Sequence, residues 1–216
     1  MECGSYRAIK LLEHAMKVIE RVFERRIREL VKIDAMHFRF MPGKGTTDAI
    51  FTVWQMQEKY GCIGNKLYFD FVDLEKAFDR VPRDGTRWAL RKAGVDEWLV
   101  KAVMAIMAMY EGAQTVVRTG DSKAFNVKIG LHQGSVLSPL LFVIVMEMFS
   151  RELRAGVPLK LLYADDLILM AESEESLRDK IVKWKSGLEA KGLKMNTGKT
   201  KVMFYCSMKD KVEEKG

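Results

Sequence analysis

From Ile9 onward, apolar side chains recur at three- and four-residue steps: Ile9, Leu12, Met16, Ile19, Phe23, Ile27 and Leu30. That period predicts an amphipathic helix over residues 5–31 whose apolar stripe turns inward. The other face carries Arg21, Arg25, Arg26 and Arg28, which suits a plain solvated surface at least as well as contact with nucleic acid. The pattern breaks at "FRFMPGKGTTDAIF", where Pro42, Gly43 and Gly45 predict a loop. Thr46 or Thr47 is then expected to cap a helix running to about Tyr60. "KLYFDFVDL" alternates and is rich in aromatics, so it reads as a strand ending near Asp73.

Two further helices are predicted, over about 84–93 and 96–111, the second capped by Asp96. "AQTVVRT" and "AFNVKIG" read as a pair of short strands. Ser138 as N-cap and Pro139 at the first helical position open a strongly apolar helix. "LKLLYADDLILMA", residues 159–171, reads as a β-hairpin with Asp165 and Asp166 at its turn. A helix over about 174–190 and strands near 193–196 and 200–206 complete the pattern. Helices and strands alternating irregularly around a few mainly antiparallel strands predict the α+β class.

Composition changes this picture little. The 216 residues are 48% apolar and 30% charged, enough to bury a large core as one domain or two closely joined subdomains. The ending "SMKDKVEEKG" reads as a solvated tail, frayed over 207–216. A net charge of +7 suits a partner made of phosphates without demanding one. Cys3, Cys62 and Cys206 lack the spacing of a disulfide framework or zinc site, which fits a reducing compartment. No apolar run reaches the roughly 20 residues that span a bilayer, so the expectation is an intracellular chain with no membrane partner. "MPGKGTT" lacks P-loop spacing, "DLEKAFD" is not a calcium loop, and His14, His37 and His132 show no metal-ligand spacing.

The acidic pair of the hairpin carries the chemistry. A turn accommodates one Asp comfortably, but two like charges side by side repel and raise each other's pKa unless something neutralises them. A divalent cation would do so, and Mg²⁺ favours one or two carboxylates together with substrate phosphates. Asp73, at the end of its own strand, becomes a further ligand if the two strands are neighbours in one sheet. Three carboxylates on adjacent strand ends are able to hold the metal pair used in nucleotidyl transfer.

"PGKGTTDAIF", "FVDLEKAFD", "GLHQGSVLSPLLF", "YADD" and "GLKMNTGKTKVMF" occur in that order. Together they resemble the reverse transcriptases of non-LTR retrotransposons, most closely the RTE-like group, from about Tyr6 to Tyr205. The resemblance implies a right-hand polymerase: fingers over about 1–64 and 84–135, and a palm with a small, mainly antiparallel sheet over about 65–83 and 136–206. It implies an RNA-directed DNA polymerase that extends a DNA primer on an RNA template with deoxynucleoside triphosphates and two Mg²⁺ ions, Mn²⁺ being possible, in the nucleus or cytoplasm. The alternative is an inactive nucleic-acid-binding remnant of such a polymerase.

On the same resemblance, Asp73 and Asp165 are the principal metal ligands and Asp166 the more replaceable one. The backbone of Leu74, Glu75, Lys76 and Ala77 would face the triphosphate, and Phe78 would exclude a 2′-hydroxyl, against ordinary core packing as its bland role. Gln133 and Gly134 would touch the incoming nucleotide and template, or simply form a polar turn before a helix. Lys199 would stand near the triphosphate and Lys44 would contact a phosphate, each against a plain surface lysine. Two departures bear on the fingers loop: Arg39 stands where the family usually has Gly, and Met41 where many wider relatives have Arg. With Met1 leading directly into the fingers helix and the chain ending soon after "KVMFYC", the expectation is a fragment or decayed copy, without an upstream endonuclease and with the thumb largely absent.

Overall fold

The computed structural model describes residues 12–109, 114–115, 125–126, 130–153 and 160–205. They fall into two compact units, one formed by the described residues up to 32 and within 78–148 and the other by those within 33–77 and 149–205.

The first unit is mainly helical. Helix α1 spans His14–Leu30, and the part of the predicted helix before residue 12 lies outside the described residues. Its buried positions are Glu20 and Ile27, while Ile19 and Leu30 are exposed, so the inward stripe is rotated from the one periodicity suggests. A carboxylate can lie on that stripe because Glu20 Oε1 accepts from Ser135 Oγ at 2.9 Å and Oε2 accepts from Val136 N at 2.7 Å. Among the outward arginines, Arg25 and Arg28 pair with Glu29 and Glu24 one turn away, and Arg26 lies over the Trp98 ring.

Helices α4 (Arg83–Lys92) and α5 (Glu97–Met109) pack together, following the short α3 (Ala77–Arg80), which the sequence pattern does not announce. Asp96 directly precedes α5, and its carbonyl accepts from the amides of Leu99 and Val100. Strands β2 (Gln114–Thr115) and β3 (Phe125–Asn126) pair antiparallel; the rest of the two expected strands lies outside the described residues. Helix α6 spans Ser138–Leu153. Ser138 is its first residue rather than its cap, because Ser135 Oγ accepts from the amides of Leu137 and Ser138.

The second unit is built on an antiparallel sheet in the order β4-β5-β1-β6, with β1 at Leu67–Asp73, β4 at Lys160–Tyr163, β5 at Asp166–Ala171 and β6 at Lys201–Tyr205. One side of the sheet closes with α2 (Thr46–Cys62) over a core containing Phe38, Ala49, Tyr60, Leu67, Phe69, Leu161 and Met170. The Leu, Phe and Met side chains of that core each contribute about 1.5–3 kcal/mol when fully buried. Thr46 is the first helical residue of α2 rather than its cap, and the Asp48 carboxylate accepts from Gly45 N at 2.7 Å. Helix α7 (Glu174–Glu189), capped by the Ser173 hydroxyl, packs on β5 and β1. The strand expected near 193–196 is absent there: that segment makes one antiparallel bridge, Leu74 to Met195. Among the described residues no helix is long and apolar enough to cross a membrane.

Candidate active site

Strand β1 ends at Asp73, and antiparallel pairing with β5 puts Asp73 directly opposite Asp166, the first residue of that strand. Directly opposed side chains in such a ladder have Cβ atoms about 4.5–5.5 Å apart, and like charges there repel. Tyr163 pairs with Asp166 across the hairpin, which leaves Ala164 and Asp165 as its two-residue turn. Ala164 is left-handed at φ 57°, and this bend frees Asp165 from the alternation that would send neighbouring side chains to opposite faces. The sequence-predicted trio thus comes from two neighbouring strand ends.

Asp73 and Asp165 meet partners from different parts of the second unit. Asn196 donates from its amide nitrogen to Asp73 Oδ2 at 3.2 Å, and its backbone amide donates to Asp73 O at 2.8 Å. Arg39 Nη1 lies 3.9 Å from Asp165 Oδ1. Asp166 is exposed.

Carboxylate oxygens are the hard donors that Mg²⁺ takes, and one or two of them completed by substrate phosphates is its usual protein set. The donor chemistry at these strand ends fits that ion. Among the described residues no group of three acidic, His or Cys side chains is placed to hold a metal ion, so the three carboxylates do not form a ready cage.

Asp73 and Asp166 open onto a cavity of about 800 Å³ between α2 and the sheet. Ile50, Val53 and Trp54 line it from α2, Phe71, Leu161 and Tyr163 from the sheet, and Lys199 and Lys201 add positive charge. Lys199 thus lines the same cavity as Asp73 and Asp166. Lys44 is differently engaged: its ammonium donates to the carbonyls of Ala35 and, at 3.2 Å, His37, and lies over the Phe38 ring. Beyond Asp73 the backbone stays tied to the 194–196 segment, for Glu75 N donates to Lys194 O at 2.8 Å. Leu74 and Ala77 are buried, and Lys76 is exposed with φ 48°.

The other three predicted residues belong to the first unit. Phe78 is half-buried and stacked on Phe142, with centroids 4.2 Å apart and planes 13° from parallel. Its carbonyl accepts from Leu131 N at 2.7 Å, and a Cβ on Gly130 would lie 2.6 Å from Asp79 Cα, so only glycine permits this approach. Gln133 and Gly134 form the middle of a turn closed by Ser135 N to His132 O, with Gly134 at φ 107°. A turn with positive φ at its third residue favours glycine there.

Sequence reasoning missed Asn196, Glu20 and Asp70. Asn196 carried a faint signal, a polar residue between the buried Met195 and a turn. Asp70 is fully buried in the middle of β1, both carboxylate oxygens lack a hydrogen-bond partner, and burial pushes its carboxyl up to about 6. Its position inside an apolar strand was the available clue.

An antiparallel sheet with acidic residues at neighbouring strand ends, joined to helical elements, is the architecture of a polymerase palm. Solved structures of telomerase share this fold: that from Candida albicans superposes with a TM-score of 0.63 at 14% identity, covering 88% of this chain and 34% of that one. That from Candida tropicalis has a TM-score of 0.62 at 17% identity over 86% of this chain and 33% of its own. The family model for reverse transcriptase (RNA-dependent DNA polymerase) matches residues 2–214, and the chain belongs to that family.

Its relatives include the Pol polyprotein of the retrotransposable element R2 of Nasonia vitripennis, 27% identical over 90% of this chain and 20% of that protein. A protein of the R1 element of Drosophila melanogaster is 27% identical over 94% of this chain and 20% of its own length. The probable RNA-directed DNA polymerase of the Drosophila X-element is 31% identical over 65% and 16%. The chain spans about a fifth of the length of the R1 and R2 relatives.

Proposed function

We propose that the chain is the RNA-directed DNA polymerase part of a non-LTR retrotransposon protein of the RTE-like group, extending a DNA primer on an RNA template with deoxynucleoside triphosphates. The observation that carries this reading is the cross-strand pairing of Asp73 with Asp166, with Asp165 in the adjoining turn, in a chain of the reverse transcriptase family. Residues of about 1–64 and 84–135 would act as fingers, and about 65–83 and 136–206 as palm.

Asp73, Asp165 and Asp166 would hold two Mg²⁺ ions, with Mn²⁺ as a possible substitute. Bound there, the ions would activate the primer 3′-hydroxyl and stabilise the departing pyrophosphate. Asn196 keeps the Asp73 carboxylate aimed, Lys199 offers positive charge to the triphosphate, and exposed Trp54 gives a base a face on which to stack. Phe78, Gln133 and Gly134 would select and position the nucleotide. The work would take place in the nucleus or cytoplasm.

The test is primer extension on an RNA template with and without Mg²⁺, comparing the parent chain with Asp165→Asn. Metal-dependent extension that the substitution abolishes is expected; extension at the parent's rate by the variant overturns the assignment. A second reading, a nucleic-acid-binding remnant that no longer polymerises, draws support from the Arg39 guanidinium beside Asp165. Template–primer binding without extension by the parent would favour it.

A further inference from the structure

We propose that Arg39 is a tethered counter-ion of Asp165 that competes with a divalent cation, and so sets the metal affinity of the acidic site. The inference rests on reading Asp165 as a metal ligand, and its own content is the antagonism of Arg39.

The loop that carries Arg39 is fastened to the strand that leads into the acidic turn. Phe38 N donates to Leu162 O at 3.0 Å and Leu162 N donates to Met36 O at 2.9 Å, giving a parallel bridge between His37 and Leu162. Two residues beyond His37, the Arg39 guanidinium lies 5.5 Å from the ring centroid of Tyr163, the residue after Leu162, and 5.0 Å from that of Phe40. Two aromatic faces hold a cation at this spot. Tyr163 is itself steadied by a 2.6 Å hydrogen bond between its hydroxyl and that of Thr46. Phe40 adopts φ 61°, a left-handed conformation uncommon for a bulky residue, and so turns the loop immediately after Arg39.

The consequence falls on Asp165. Arg39 Nη1 stands 3.9 Å from its Oδ1, and a guanidinium stays charged throughout the working pH range. A positive charge beside a metal ligand repels an incoming cation and offers the carboxylate another partner. The Arg39 side chain is 44% exposed and that of Asp165 23%, so solvent weakens the effect without abolishing it. Loss of one such ion pair corresponds to about a two- to fivefold change in an equilibrium constant, larger at low salt.

The experiment is a titration of Mn²⁺ without nucleotide, following free Mn²⁺ by electron paramagnetic resonance. It compares the parent with Arg39→Gln, and the same substitution in an Asp165→Asn background. Arg178→Gln is the charge control, since Arg178 is an exposed residue of α7 paired with Glu174. Arg39→Gln is expected to tighten Mn²⁺ binding by about two- to fivefold at low salt, with the gain lost when Asp165 is Asn and absent in Arg178→Gln. Arg39→Lys keeps the charge without the planar fork and is expected to stay within about twofold of the parent, which guards against a loop merely loosened by substitution.

Equal affinity of parent and Arg39→Gln overturns the proposal; if Asp73→Asn still abolishes binding, the metal site itself stands. An equal gain in Arg178→Gln also overturns it, since net charge then explains the effect. No saturable binding by any variant overturns both the antagonism and the metal-site reading.

Discussion

Asp73 stands directly opposite Asp166 across the β1–β5 ladder, two carboxylates facing each other where strand pairing alone would avoid like charges. The arrangement makes sense when cations supply the missing attraction, and Asn196 shows how firmly one partner is aimed. Asp73→Asn is expected to slow primer extension about a thousandfold, a loss of roughly 4 kcal/mol of transition-state stabilisation. Asn196→Ala leaves the charge but removes the hydrogen bond, so about a tenfold loss with a raised Mg²⁺ requirement is expected. Extension rates across a Mg²⁺ series would separate the two effects.

Phe78 rests one face on Phe142 and remains half-buried, so its ring is braced rather than free to swing. If it closes the space beside the sugar, Phe78→Val raises the efficiency of ribonucleotide use relative to deoxynucleotide by about tenfold or more. The ratio of the two efficiencies, measured on chains with matching melting curves, decides the point; an unchanged ratio returns Phe78 to the core.

Burial of Asp70 yields a pH dependence with a defined sign. Its carboxyl is raised from 3.8 to about 6 in the folded chain, so between those values the folded state binds the proton more readily than the unfolded one. Its contribution is most favourable below the unfolded value and is lost as pH rises through the folded one, by about 3 kcal/mol in full. Asp70→Asn removes the titrating group. Across a series from about pH 5 to 8, the parent is expected to lose melting temperature relative to Asp70→Asn, with most of the loss near the folded-state value. Parallel curves would show that Asp70 has found a partner.

Glu20 joins α1 to the loop before α6 by accepting from Ser135 Oγ and Val136 N. Glu20→Ala strands a buried hydroxyl and a part-buried amide and is expected to cost about 2–4 kcal/mol in urea denaturation, with faster amide exchange at Val136. Glu20→Gln retains one acceptor oxygen and is expected to cost less. Equal stability of parent and Glu20→Ala would mean that water replaces the carboxylate.

Much of the architecture follows from short-range pattern. Alternation and aromatic content define β1, the paired apolar runs around Asp165 and Asp166 define the hairpin, and Ser173 starts α7 with its own hydroxyl, because strand periods, turns and caps depend on residues only a few positions apart. The acidic pair of the hairpin stood out for the same reason, as charge between apolar runs, although the same clue at Asp70 went unread.

Tertiary structure alone decided which polar groups meet. Asn196 reaches Asp73 across 123 positions of chain and Glu20 reaches Val136 across 116, and neither distance leaves a periodic trace. The turned stripe of α1 has that origin, since the face that goes inward is the one whose carboxylate finds donors, while Ile19 and Leu30 remain outside. Residues 193–196 form one bridge instead of a strand because Asp73 and Glu75 exchange backbone hydrogen bonds there over too short a length to extend the ladder. Arg39 shows the limit most plainly: the resemblance to the family marks it as a departure, but its position beside Asp165 depends on the loop's pairing with Leu162. Local periodicity is governed by burial, which each residue type announces, whereas polar partnership is governed by geometry that exists only after the chain has closed on itself.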